Sequence, residues 1–213
     1  MELYCGDLTF IFQMMRLNFI KFNIQNTFKR YREKTLREAV ESREYNQLVN
    51  KAEKSYSAYL DMPLGEFLFK LKKREDDFYL DFLHSNGDTS FCKFKLKDTN
   101  YNHKKGLYLY HTNEIKYIGK ATETFQKRIN SNYGNISPKN CYKSGRPTNC
   151  RINHLINENQ SIQLYLCVLT EKSNDEISQL ETKLIQRYNP PWNLIKYRTS
   201  KVKNDSHNES SLS

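Results

Sequence analysis

Between Gly106 and Gly119 the chain reads Gly-Leu-Tyr-Leu-Tyr, then His-Thr-Asn-Glu, then Ile-Lys-Tyr-Ile-Gly. Alternating aliphatic and aromatic residues on either side of a short polar segment predict two antiparallel strands joined by a tight turn. With His111 facing Glu114, Tyr108 falls opposite Tyr117 and Gly106 opposite Gly119. Directly opposed residues share a face, with Cβ atoms about 5 Å apart. This register therefore predicts two phenols side by side, and glycine backbone at the open end with room for a substrate strand.

The chain beyond the hairpin is patterned too. Thr122 can cap a helix from Glu123 to about Ser131, with Phe125 and Ile129 inward and Arg128 at the margin of that stripe. A guanidinium so placed suits bidentate phosphate contact. Residues 132–151 form a Gly/Pro-punctuated basic loop with Lys139, Lys143, Arg146 and Arg151 as candidate DNA contacts, and Arg151–Asn157 can start a further helix. An apolar strand spans Ile162–Leu169. A helix capped by Asn174 or Asp175 then runs to about Tyr188 on a stripe of Ile177, Leu180, Leu184, Ile185 and Tyr188. Glu181 lies on that stripe, where a carboxylate is costly unless paired or bound to metal. Asn189-Pro190-Pro191-Trp192-Asn193 ends the helix, with Trp192 folding back and Asn193 held beside the site.

Upstream, residues 26–60 have mostly helical spacing, Pro63 interrupts them, and Leu64–Leu71 predicts a short second helix. Phe78–Leu83 and Phe91–Leu96 flank Asn86-Gly87 and predict a second hairpin. The polar run Asp98–Lys105 marks a boundary between residues 1–100, expected to serve DNA contact or dimerisation through 26–60, and a C-terminal domain at 104–197, and 199–213 read as a disordered tail.

The chain has 213 residues, 34 Lys and Arg against 24 Asp and Glu, and a net charge of +10, which favours an anionic partner. Fifteen Tyr and twelve Phe are enough for a real core, which excludes a wholly disordered chain. Cys5, Cys92, Cys141, Cys150 and Cys167 show no zinc spacing and read as free thiols of a cytoplasmic protein. Cys141 and Cys150 flank the basic loop. No stretch is apolar enough to span a membrane, and Met1–Phe22 lacks the features of a signal peptide.

Gly106-Leu107-Tyr108, Tyr117-Ile118-Gly119, Arg128, a helix-borne Glu181 and a terminal Asn193, in this order, resemble the GIY-YIG nuclease superfamily over residues 104–197. The Asn-Pro-Pro-Trp-Asn ending is similar to that of its small phage and restriction endonucleases. The resemblance implies an α+β fold with a small three-stranded antiparallel sheet flanked by helices, here preceded by a helical N-terminal region with a β-hairpin. It implies a divalent-metal-dependent DNA endonuclease, with Mg²⁺ or Mn²⁺ carried by Glu181. Tyr108 would orient or deprotonate the attacking water, Tyr117 and Arg128 would hold the phosphate, and Asn193 would brace the site. Lys120 or Lys116 would lower a phenol pKa by their charge. Many members carry His or Tyr one helical turn after the arginine; α-helical spacing puts Asn132 there, which leaves Tyr133 or His154 as substitutes. Sequence-specific, restriction-like cutting is the leading expectation, with a homodimer as one route to duplex cleavage. A nicking or repair nuclease on altered or branched DNA is the second expectation, and a DNA-binding protein without catalysis the third.

Overall fold

The computed structural model describes residues 1–194, so the expected tail at 199–213 lies outside the described residues. The chain is a mixed α+β protein with antiparallel sheets. Its strands are β1 (Glu2–Cys5), β2 (Leu8–Ile11), β3 (Gln13–Met15), β4 (Leu17–Ile24), β5 (Phe91–Leu96), β6 (Gly106–His111), β7 (Ile115–Ala121) and β8 (Gln163–Val168). Its α-helices are α1 (Leu36–Val40), α2 (Val49–Tyr56), α3 (Leu64–Lys73), α4 (Pro147–Glu158) and α5 (Asn174–Tyr188). No helix among the described residues is long and apolar enough to cross a membrane.

The central sheet has four strands in the order β3-β8-β6-β7, rather than the three expected. The added edge strand comes from the N-terminal segment, where Gln13–Met15 pairs with Leu166–Leu164 of β8. One face carries Leu107, Leu109 and Ile118 against Ile177, Leu180 and Leu184 of α5. The other carries Tyr108, Tyr110 and Tyr117 against Phe125, Ile129, Tyr133, Ile152 and Trp192. The strict alternation of β6 sorts its leucines to one layer and its tyrosines to the other.

Two upstream expectations are corrected. Phe78–Leu83 is not a strand: Asp77–Phe82 is a 3₁₀ helix whose cap, Asp76, accepts from the Phe78 amide at 3.0 Å. That turn buries Phe78 and Phe82, four residues apart, in one core. Strand β5 instead pairs with β4, with Phe94 opposite Phe19 and Leu96 opposite Leu17. The single helix expected over 26–60 is broken into short pieces. Thr35 restarts it with a capping box on Glu38, and Ser42 turns its hydroxyl onto the Ala39 carbonyl at 2.5 Å. Such side chains compete with the backbone ladder and break helices into short segments.

The hairpin register also differs. Tyr108 faces Gly119, Tyr110 faces Tyr117 and Gly106 faces Ala121, with a bulge at His111. The shift is by two residues, so every side chain keeps its predicted face. The glycines leave no room for substrate. A Cβ at Gly119 would collide with the Tyr108 ring, and Gly106, at φ +149, abuts the Cys167 carbonyl of β8.

Candidate active site

The helix after β7 starts later than expected and is π-helical over Gln126–Tyr133; the Gly134 amide donates to the Ile129 carbonyl at 2.7 Å. Its first turn is capped by Thr124, whose hydroxyl accepts from the Lys127 amide at 3.1 Å, and not by Thr122. A π turn returns to the same side after about five residues rather than four. Arg128 is therefore stacked near Tyr133, with the guanidinium 5.9 Å from the ring centroid. The place one turn after the arginine belongs to Tyr133, and Asn132 is displaced from it.

Three phenols meet on this face. Tyr108 donates to the Tyr133 oxygen at 3.0 Å, and the Tyr117 and Tyr133 oxygens are 3.3 Å apart. The Tyr108 and Tyr117 rings are diagonal neighbours at 6.1 Å. Tyr108 and Tyr133 are 1 % exposed and Tyr117 9 %, so Tyr117 is the phenol nearest to solvent. Burial pushes the Tyr108 and Tyr117 pKa values well above 10, the neighbouring phenols add to that, and Arg128 acts in the opposite direction. Tyr110 completes the layer, and its buried hydroxyl has no hydrogen-bond partner among the described residues.

Glu181 approaches from the other face, as the α5 stripe requires. Its carboxylate pairs with Lys120 Nζ at 2.8 Å, with side-chain exposures of 17 % and 31 %. The carboxylate is near enough to raise Tyr117 and to favour the charged form of Arg128. Phenols, guanidinium and carboxylate thus converge on the outer strand β7 from its two sides. Helix α5 is held by a capping box at Ser173, one residue before the expected cap.

Asn193 braces this strand. Its side chain accepts from the Ile118 amide at 2.9 Å and donates to the Ile118 carbonyl at 2.8 Å, taking up the edge hydrogen bonds a further strand would make. Trp192 donates its amide to the Lys116 carbonyl at 2.8 Å, and Lys116 itself pairs with Glu114. Arg151 donates to the Trp192 carbonyl; burial lowers its pKa, and the nearby Tyr117 and Tyr133 act in the opposite direction. Of the four cations expected in the loop it is the one brought to the phenols, and it lies in α4, which begins at Pro147 and not at Arg151. Lys139, Lys143 and Arg146 are exposed. His154 bonds the Ser90 carbonyl at 3.0 Å and none of the phenols.

Asn153, on α4, was not among the expected residues. It is fully buried and donates to the Tyr133 carbonyl at 2.5 Å, which fixes the end of the π-helix. The legible signal was Asn149, Asn153 and Asn157 at intervals of four, a buried polar stripe.

Gly119→Ala tests the packing of the phenol layer. The new Cβ would overlap Tyr108 and come within 2.7 Å of the Tyr117 ring. Overpacking of this kind costs about 2 kcal/mol, expected as a fall of about 4–8 °C in thermal midpoint. An unchanged midpoint would mean that the two rings are free to move.

The chain has no match among family models, characterised proteins or solved structures.

Proposed function

We propose that this protein is a divalent-metal-dependent endonuclease of the GIY-YIG kind, hydrolysing DNA phosphodiester bonds. The observation that carries the reading is the hydroxyl chain Tyr108–Tyr133–Tyr117, with Arg128 beside it and Glu181 across the same edge strand. Five separated motif residues converge on one strand, and their chemistry is that of phosphoryl transfer. Arg128 and the Tyr117 hydroxyl are donors for a phosphate held at the sheet edge. Tyr133, placed by the π turn, takes the position of the second-turn His or Tyr that the α-helical reading lacked.

The residues present fit a hard cation held through Glu181. The described residues contain no group of three His, Cys, Asp or Glu that could cage a metal. Mg²⁺ and Mn²⁺ suit a lone carboxylate, because Mg²⁺ keeps several waters and takes its remaining ligands from substrate phosphate. Lys120 must release Glu181 for that role. When bound, the cation supplies charge neutralisation for the developing phosphorane and polarises the phosphoryl oxygen.

Neutral phenols are donors. With Tyr108 and Tyr117 both raised by burial, neither is ionised in the free protein near neutrality. If one of them takes the water proton, the rate rises about tenfold per pH unit through pH 9 without a plateau.

Supercoiled plasmid incubated with the protein and Mg²⁺ or Mn²⁺ tests the reading. Discrete fragments are expected for sequence-specific cutting, and open circles for nicking by a single centre. Absence of any product with either metal at low salt would overturn the enzyme reading.

A further inference from the structure

The strongest unassigned feature lies in the N-terminal region. Residues 27–30 form a 3₁₀ turn packed across the start of α3. Gly65 makes that crossing possible, since a Cβ there would be 2.6 Å from the Phe28 carbonyl oxygen and 2.7 Å from that of Tyr31. The close approach sets Lys29, Arg30 and Arg32 beside Lys70 and Lys73, around a groove of 440 Å³. A second groove of 290 Å³ shares Arg30 and Arg32 and runs on to Lys139.

Six cations face two carboxylates here, Glu66 and Glu33. Of these six cations only Arg32 is in an ion pair among the described residues, with Glu66 at 2.8 Å. Lys29 and Lys73 both stand over the ring of the groove's Phe69, 4.5 and 4.9 Å from its centroid. The lining of this concave surface therefore combines one aromatic ring with five cations. A membrane surface prefers protruding apolar side chains, whereas a nucleic-acid backbone fits a cationic trough.

We infer that this groove is a second DNA-backbone site, gripping duplex phosphates away from the catalytic edge; the inference rests on the nuclease reading for the identity of its ligand. Lys139 follows Tyr133 by six residues, so the two lie within about 21 Å along the chain. That is shorter than one duplex turn of about 34 Å, so the separation is within the length of a single duplex contact. Backbone contacts of this kind add affinity and set the duplex's position without reading sequence.

The test uses the full chain, a fluorescent duplex and EDTA, so that binding is read without cleavage. Arg30, Lys70 and Lys73 are exposed, and a triple alanine variant should fold normally. Its duplex affinity is expected to fall about tenfold or more at about 0.1 M salt, and the log–log salt slope to drop by about 2–3, near 0.9 per lost phosphate contact. A charge-matched control, Lys54→Ala/Lys95→Ala/Lys183→Ala, should stay within about threefold of wild type. Equal weakening by both triples, or by neither, overturns the groove. So does groove-dependent binding to phosphatidylserine vesicles without groove-dependent binding to duplex. A wild type that binds duplex yet cuts nothing removes the nuclease reading and leaves the groove test intact. A wild type that binds no duplex at low salt removes both.

Discussion

Glu181→Gln is expected to lower Mg²⁺-dependent plasmid cleavage about a thousandfold or more, while duplex affinity in EDTA stays within about threefold. Glutamine keeps the size and one acceptor oxygen of the side chain, so α5 retains its packing against Leu107, Leu109 and Ile118. What it loses is the charge, and the described residues hold no group of three His, Cys, Asp or Glu that could hold the cation in its place. The Lys120 ion pair offers a competing explanation, in which Glu181 matters only as a brace. Glu181→Asp separates the two. A shorter carboxylate should restore part of the rate with a raised Mg²⁺ requirement, a shift that loss of a brace would not produce. Undiminished cutting by Glu181→Gln would remove Glu181 from the chemistry.

Much of the site was legible because its elements carry strong periodicity. Strands β6, β7 and β8 alternate apolar residues, and α5 has an uninterrupted stripe on which Glu181 is conspicuous. The face of each hairpin residue was legible for the same reason, although the register was not. A bulge at His111 depends on turn geometry, and the residue types alone do not specify it. The π-helix was illegible from α-helical spacing, and with it the contact between Arg128 and Tyr133. The N-terminal strands were missed on a different ground. Strands β1 to β3 have only three or four residues each, and β4 finds its partner β5 about seventy residues away in the chain, so local turn signals point to the nearer Phe78–Leu83 instead. Asp76 decides that segment by capping a 3₁₀ turn, a tertiary and local effect that outweighs its strand-like composition.

Asn153→Ala should be the most destabilising single change near the site, by about 3 kcal/mol, seen as a thermal midpoint lower by about 6–12 °C. The reason lies in a bulge. Strand β4 loses register with β5 between Lys21 and Ile24, and Cys92 is left without a cross-strand partner. Asn153 takes that place: its side-chain oxygen accepts from the Cys92 amide at 2.8 Å, and its amide donates to the Cys92 carbonyl at 2.8 Å and to the Tyr133 carbonyl at 2.5 Å. Asn157, one turn on, accepts from the amide of Asn23 at 3.0 Å and donates to that residue's side-chain oxygen at 3.1 Å, where the backbone is left-handed at φ 53. Alanine would strand an amide and two carbonyls at a buried position, and each costs about 1–3 kcal/mol, reduced by relaxation. Asn153→Asp refines the test. The acid keeps the acceptor for Cys92 but sets a carboxylate against two carbonyls, which raises its folded pKa above the usual value near 4. Its neutral form can donate to one of the two carbonyls that asparagine serves, so stability is greatest below about pH 4 and is lost as pH rises through the raised folded value. Because Tyr133 hangs on the same side chain, both variants should also slow cleavage at temperatures where they remain folded. A variant that melts like wild type would show that the asparagine stripe is not what joins the N-terminal strands to the phenol layer.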